Sequence, residues 1–276
     1  MTATPEALRD WQSAIGRTVT RTQWLEAESL RRFAVAIGAD PDVERILPPL
    51  AHWAWFLDTP QDDGIGADGH PKRGGFLPAI TLPRRMFAAS AIRFEAPLQP
   101  GAEAELESRI EDVRHRPGAG GDLVFVDIAR RISQDGVDRV TERQTLVYRG
   151  AADAGGLPVP AGDAEAVPAK GELWRPEEVN LFRFSAATFN GHRIHYDRPY
   201  ATRVEGYPSL VVQGPFTAAR LAGLAARDGA LAALEFRLLA PLYAAQPVRL
   251  IRGEADEYRA VRCDGVTATS LKVTRR

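Results

Sequence analysis

The sequence predicts an α+β fold made twice over: a curved antiparallel sheet wrapped around a central helix, then a second unit of the same plan. Three observations lead there. Strand-like segments that alternate apolar and polar residues come in two runs, each broken by glycine-rich turn signals. A helix that is apolar on nearly all sides precedes the second run. The tripeptide APL occurs at 96–98 and again at 240–242, an offset of 144, with the same order of elements around it; Leu106 and Leu250 repeat that offset.

The elements follow in order. TQWLEAESLRRFAVAIGAD reads as a helix with Trp24, Leu25, Leu30, Phe33 and Ile37 near one face and Gly38 as its stop. An aromatic patch of His52, Trp53, Trp55 and Phe56 comes next, then a glycine-rich stretch. SAIRFEAPL, AELESRIEDVRH, GDLVFVDIARRIS and VTERQTLVYR read as strands, separated by turns at Pro100-Gly101, Gly118 to Gly121 and Asp135-Gly136. RGAADAGGLPVPAGDAEAVPAKGE is poor in large apolar residues and reads as a linker. The expected division is an N-terminal unit at 1–150, a linker at 151–172 and a C-terminal unit at 173–276. In the latter, PEEVNLFRFSAATFN is a short helical lead, and residues 215–226 form the apolar helix, rich in alanine that lets a backbone approach a sheet. ALEFRLLAPL, QPVRLIRGEAD, EYRAVRCDG and VTATSLKVTRR complete a second meander. A curved antiparallel sheet around one helix, present twice, is the double hot-dog architecture.

Composition narrows the function classes. The chain has 276 residues, 45% hydrophobic and 26% charged, which is ordinary for a soluble globular protein. A net charge of −1 gives no electrostatic case for nucleic acid or an anionic membrane. No segment approaches the ~20 apolar residues of a membrane span, and the N-terminus has no basic flank followed by an apolar run. The expectation is a cytoplasmic protein. One cysteine, Cys263, excludes an internal disulfide and a four-thiolate zinc site; it has no obvious base beside it. Arginine far outnumbers lysine, which stands only at Lys72, Lys170 and Lys272.

Two of the five histidines lie in FNGHRIHYDRPYA, residues 189–201. The apolar helix begins just beyond, at Gly214-Pro215. Proline suits the first helical position because its missing N–H would be unpaired there anyway. The free amides of a helix start favour an oxygen that gains negative charge. Histidines folded over such an end would make a base facing an oxyanion hole, the equipment for moving a proton α to a thioester carbonyl. A metal held by His192, His195 and Asp197 is the weaker reading, because the ligand spacing is loose.

FSAATFNGHRIHYDRPYA, with VVQGP downstream, resembles the MaoC-type hydratase/dehydratase branch of hot-dog proteins. Within that branch the likeness is to the double hot-dog 3-hydroxyacyl-thioester dehydratases and mesaconyl-CoA-type hydratases. DGHPKRGGFLPAITLPRRMFA, LVFVDI and ERQTLVYR resemble the degenerate half of that sub-group. The wider family carries a G-D-x-N-P-x-H pattern. Its final His falls on His195, its Asp on Asn190 and its Asn on His192. An amide positions water but cannot take its proton. Either His195 is the sole base, with Asn190 holding water or thioester, or His192 supplies a second titrating group. Gln213 stands where the family often has His before Gly-Pro.

The resemblance implies a hydro-lyase that adds or removes water at the 2,3-bond of an acyl-CoA thioester. The catalytic candidates are His195, Asn190, His192 and Gly214, the last as backbone oxyanion donor. Arg84, Arg85, Arg193 and Arg198 are candidates for a CoA phosphate or a substrate carboxylate, and Arg183 is a further one near the histidines. Their clustering suits an anionic acyl group, a branched dicarboxylic enoyl-CoA first and a 3-hydroxyacyl thioester second. The aromatic patch serves core packing or lines an acyl tunnel. His70, in DGHP, is expected outside the site, because no histidine loop leads into a small-residue helix there. No cofactor, metal, nucleic acid or membrane is implied; hot-dog units commonly pair, and one such pair already lies within this chain, so a homodimer is one open expectation for the oligomeric state. The rivals are a hot-dog acyl-CoA thioesterase, which would want a carboxylate where Asn190 stands, and a non-catalytic acyl-thioester-binding protein.

Overall fold

The computed structural model of the protein describes residues 4–118, 121–150, 160 and 171–276. Most of the expected linker therefore lies outside the described residues. The first half contributes α1 (Pro5–Gln12), β1 (Thr18–Trp24), α2 (Ala27–Ala36), β2 (Arg84–Phe94), β3 (Glu103–Gly118), β4 (Gly121–Gln134) and β5 (Val137–Arg149). The second contributes β6 (Glu172–Trp174), α3 (Glu178–Ala187), α4 (Gly214–Ala226), β7 (Leu231–Leu238), β8 (Val248–Arg252), β9 (Glu257–Arg262) and β10 (Thr267–Arg275).

All ten strands form one antiparallel sheet in the order β1-β3-β4-β5-β2-β7-β10-β9-β8-β6. From the centre outward the two halves list equivalent strands. The seam is the β2–β7 pair, with Ala89 opposite Arg237, Ala91 opposite Glu235 and Arg93 opposite Ala233. Ala91 and Glu235 are themselves 144 apart, the offset of the repeated APL, so the duplicated strands pair about an approximate twofold through that position. Leu98 and Leu242, the last residues of the two APL copies, are both buried.

One element departs from the sequence expectation. Trp24 and Leu25 do not begin a helix. Thr18, Val19, Thr20 and Thr22 make the preceding segment rich in β-branched residues, whose restricted χ1 suits a strand. It pairs with β3 from Thr18↔Arg109 to Trp24↔Glu103. Trp24 is 58% exposed, whereas Leu25, Leu30 and Phe33 are buried. The helix starts only after Glu26.

Helix α4 is buried on most sides, through Phe216, Ala218, Ala219, Leu221, Ala222 and Ala225. Its one long polar side chain, Arg220, leaves at the edge, donating to the Ile37 carbonyl at 3.0 Å and pairing with Glu172 at 2.8 Å. Phe216 stacks on Phe184 of α3 (4.9 Å between centroids), and Phe184 in turn meets Phe33 of α2 at 6.2 Å. Three helices of two halves thus share one core.

The aromatic patch of the first half is core. His52, Trp53, Trp55 and Phe56 are all buried, the first two in a short 3-10 turn, Ala51–Ala54. Trp53 packs edge-on against Phe87 and Phe236, across the seam. Its indole N–H and the His52 ring reach Glu142, which also accepts the Ser90 hydroxyl at 2.8 Å and lies 3.6 Å from Arg130. Burial opposes ionisation of Glu142, but His52, Arg130 and Ser90 outweigh it and hold the carboxyl down to about 2. Removing one partner of such a buried network leaves the others unpaired. Glu142→Ala should destabilise the fold by about 3–5 kcal/mol, read from urea unfolding.

Candidate active site

The loop between α3 and α4 is held by its own backbone and side chains. The Asn190 amide donates to the Ser185 carbonyl at 2.8 Å, and its Oδ1 accepts the His192 amide at 3.0 Å, a local Asx turn. A 3-10 turn, Arg193–His195, follows, then a π-turn, Tyr200–Val204. The Val211 amide returns to the Ile194 carbonyl at 3.0 Å. Gln213, fully buried, caps the arrangement by donating to the Leu181 carbonyl and the Ser185 hydroxyl, both at 2.9 Å. The loop's two ends are therefore tied to each other beside the start of α4.

His195 is buried, with its Nδ1 2.7 Å from the Val211 carbonyl. A carbonyl only accepts, so Nδ1 carries the proton and Nε2 is a bare acceptor. Burial, opposed by that hydrogen bond, pushes the ring down to about 4, so it is neutral and able to take a proton near pH 7. Val211 lies three residues before Gly214, the first residue of α4. The Gly214 amide has no hydrogen-bond partner among the described residues. Its missing side chain has a second cause: a Cβ there would collide with Leu238.

His192 is half-buried and contacts the His195 ring, centroids 5.2 Å apart and nearly perpendicular. Burial first, then the neighbouring His70 and His195, push it down to about 2. Its other face meets a residue that the sequence reading set aside. The His70 ring lies 3.9 Å from it, tilted by 37°. His70 sits in a turn closed by the Ile65–Pro71 bridge and by the Gly66 amide on the His70 carbonyl at 2.7 Å. Its Nδ1 donates to Asp68 Oδ2 and its amide to Asp68 Oδ1, both at 3.0 Å.

The two turns meet backbone to backbone. The Arg193 amide donates to the Asp68 carbonyl at 2.9 Å, and its guanidinium to the Ala67 carbonyl at 3.0 Å. Gly69, at φ +86°, and Gly191 face each other so closely that a Cβ on Gly69 would strike the Gly191 carbonyl oxygen; one on Gly191 would lie 2.8 Å from the Gly69 oxygen. The signal for this was in the sequence. An Asp two residues before a His, with Gly between, is an Asx-turn pattern that sets a carboxylate on a ring. What it met across 120 residues of chain was not readable.

The donor atoms of Asp68, His70 and His192 lie within 4.8 Å of one another, the only such group among the described residues. Two of its three members already engage each other. Asp197 is not near that set: it accepts from Arg193 at 2.7 and 3.0 Å and from the Tyr200 amide, so the His192–His195–Asp197 metal reading has no geometric support.

The candidate arginines separate. Arg84 is buried against Glu205 at 2.7 Å, over the Tyr207 ring. Arg193 is held by Asp197 and stacks 4.1 Å over Tyr200. Arg198 pairs with Glu178 and donates to Ser209 at 2.8 Å. These three are paired with the protein's own groups. Arg85 differs. It stands opposite Tyr148 on the neighbouring strand, has no acidic partner among the described residues, and lowers the proton affinity of both His70 and His192.

A family model described as hydroxyacyl-thioester dehydratase type 2 matches residues 50–244. The chain is 40% identical to mesaconyl-C(4)-CoA hydratase of Chloroflexus aurantiacus, over 96% of this chain and 97% of that one. It is 25% identical to the mitochondrial hydroxyacyl-thioester dehydratase type 2 of Schizosaccharomyces pombe, over 75% of this chain and 78% of that one. Among solved structures, HtdX of Mycobacterium tuberculosis aligns at a TM-score of 0.65 with 18% identity, covering 93% of this chain and 99% of the other. A MaoC-like dehydratase of Phytophthora capsici aligns at 0.67 with 12% identity, covering 98% and 99%. These two share the fold.

Two predictions follow from the geometry. Gly69→Ala should force the turns apart and lower kcat at least ~10-fold, since small displacements of catalytic groups are costly; steady-state kinetics of the folded variant checks this. The second concerns acid. An unfolded chain protonates its histidines near 6.5, whereas folded His195 waits until about 4. Its contribution to stability is present above pH 6.5, falls as pH drops from there toward 4, and levels off below. Between pH 7 and 5, His195→Gln should therefore lose roughly 2 kcal/mol less stability than the wild type, measured by denaturant unfolding at each pH.

Proposed function

The chain belongs to the hydroxyacyl-thioester dehydratase type 2 family, and from that premise we propose the chemistry and the acyl group that its site serves. It is a hydro-lyase acting on acyl-CoA thioesters, adding or removing water at the 2,3-bond. The substrate we infer is a short branched dicarboxylic enoyl-CoA of the mesaconyl-CoA kind. The relative named a mesaconyl-C(4)-CoA hydratase supports this over almost the whole length of both chains. Acyl preference can turn on single residues, so the site itself must account for the carboxylate. Arg85 does so in this reading: it is the candidate arginine left without an acidic partner among the described residues, and its charge is felt at the histidines.

In dehydration, Nε2 of His195 takes the C2 proton. The electron pair passes into the thioester as an enolate, whose oxygen the Gly214 amide receives at the start of α4. Collapse of the enolate breaks the C3–O bond, and the oxygen leaves as water once it gains a proton. Hydration is the reverse. Asn190 orders the loop and can orient the water, while His192 packs against the base. The observation that carries the reading is the Nδ1–Val211 hydrogen bond, since it fixes the bare nitrogen that the first step requires.

The thioesterase and the silent binder are the rival readings. A homodimer belongs to the same proposal; light scattering of the purified chain tests it. Incubation with mesaconyl-CoA or crotonyl-CoA should consume the enoyl absorbance without releasing free thiol. Release of CoA would support the thioesterase, and tight binding without turnover, unchanged in His195→Ala, the binder. His195→Gln should lower kcat by about 10²–10⁴-fold. Arg85→Met should lower kcat/KM for mesaconyl-CoA by roughly 10–100-fold, the loss of a charge-assisted hydrogen bond, and change that for crotonyl-CoA, which has no second carboxylate, by less than about threefold.

A further inference from the structure

The dehydration step leaves one proton unassigned: the departing C3 oxygen must gain one to leave as water. Asn190 cannot supply it. An amide does not titrate, and its Oδ1 is occupied by the His192 amide. His192 is packed between two other rings, with no carboxylate bonded to it. The remaining group is from the other half of the chain.

We propose that His70, oriented by Asp68, is a second catalytic residue of this site: its Nε2 gives the proton to the C3 oxygen in dehydration and takes it from water in hydration. The reading of His195 as the C2 base is the one this rests on. The Asp68 carboxylate uses both oxygens on His70, one on the ring and one on the amide, so the ring has a single orientation with Nε2 directed away from the carboxylate. A carboxylate behind an imidazole fixes its tautomer and stabilises the imidazolium that forms. Asp68 stays ionised: burial opposes it, but hydrogen bonds and charge from His70 hold it well below the usual carboxylate range. The turn that carries the pair is not loosely placed. It is locked to the loop of His192 and His195 by the Arg193 amide, the Arg193 guanidinium and the facing glycines. The first half, which has no histidine motif of its own, thus returns the carboxylate that position 190 lacks, one ring removed.

The step balances. The C2–H bond breaks and its proton goes to Nε2 of His195. Its electron pair passes into the enolate and, as the enolate collapses, becomes the C2–C3 π bond while the C3–O bond breaks. The oxygen takes the proton from Nε2 of His70, which enters this direction as the imidazolium paired with Asp68, and leaves as water. His195 ends with one proton more and His70 with one fewer. Exchange of one proton with solvent at each imidazole restores the starting state. No oxidant, metal or further reactant enters.

The test separates the two protons. Chloride leaves without being protonated, so elimination from 3-chloropropionyl-CoA needs the C2 base but no acid at C3. His70→Gln should lower kcat for hydration of mesaconyl-CoA or crotonyl-CoA by ~10²-fold or more, with KM within about threefold, and leave chloride elimination within about threefold of wild type. Asp68→Asn should show the same split with a smaller loss, about 10-fold, as expected of a positioning residue. Hydration by His70→Gln at the wild-type rate would overturn the proposal. So would equal losses in both reactions, which would make the ring structural. A stoichiometric divalent ion in the purified protein, with hydration lost to a chelator, would reassign Asp68, His70 and His192 and overturn it as well. His195→Gln should lose both reactions; if it kept chloride elimination, the C2 base would lie elsewhere, a failure distinct from that of His70.

Discussion

The hydrogen bond from His195 Nδ1 to the Val211 carbonyl joins the fold to the chemistry. It needs Val211 to be held still, and the chain holds it from both sides: its amide bonds Ile194, and it bridges Tyr243 just beyond β7. Gln213 adds the tie to α3. The result is a ring whose proton is fixed on one nitrogen and whose other nitrogen is free, next to helix amides that have no partner. If the Val211 carbonyl turned away, the tautomer would no longer be set, and burial alone would leave the ring with no preferred direction.

Duplication explains where the rest of the site comes from. A sheet that pairs with itself at β2 and β7 brings two copies of each loop to related places around one axis. The second half keeps the long buried helix and its amide end. The first half has α2 and a short 3-10 turn, with the space around them filled by Trp53, Trp55 and the buried Glu142 network. Freed from carrying its own helix start, the first half sends a turn across to the second half's histidines. Close approach of two backbones demands residues without Cβ, and Gly69 and Gly191 meet that demand.

Charge is partitioned with similar economy. Most arginines near the site face an acid of the protein: Arg84 with Glu205, Arg193 with Asp197, Arg198 with Glu178. A buried or half-buried guanidinium without such a partner is costly, which gives Arg85 its interest. An anionic acyl group would supply the partner that the described residues do not, beside rings whose proton affinity the same arginine lowers.

Much of this was legible in the residues. Alternation and turn signals marked the meanders; an alanine-rich segment with Gly-Pro at its start marked the buried helix; the spacing of Asn190, His192 and His195 marked the polar loop before it. These are local patterns, set by side-chain periodicity and backbone preference within a few residues. The strand at Thr18–Trp24 was missed, because Trp24 and Leu25 fit a helical period while β-branching just upstream argued the other way. His70 was set aside, and the partners of Arg84, Arg193 and Arg198 were not read, for a deeper reason. Which imidazole stacks on which, and which arginine meets a carboxylate, depends on contacts between segments more than 100 residues apart or on opposite sides of a turn. Sequence determined the two runs of strands, the buried helix and the histidine loop. Tertiary structure alone decided that a turn from the first half completes the site, because only the pairing of β2 with β7 brings Gly69 against Gly191 and so His70 against His192.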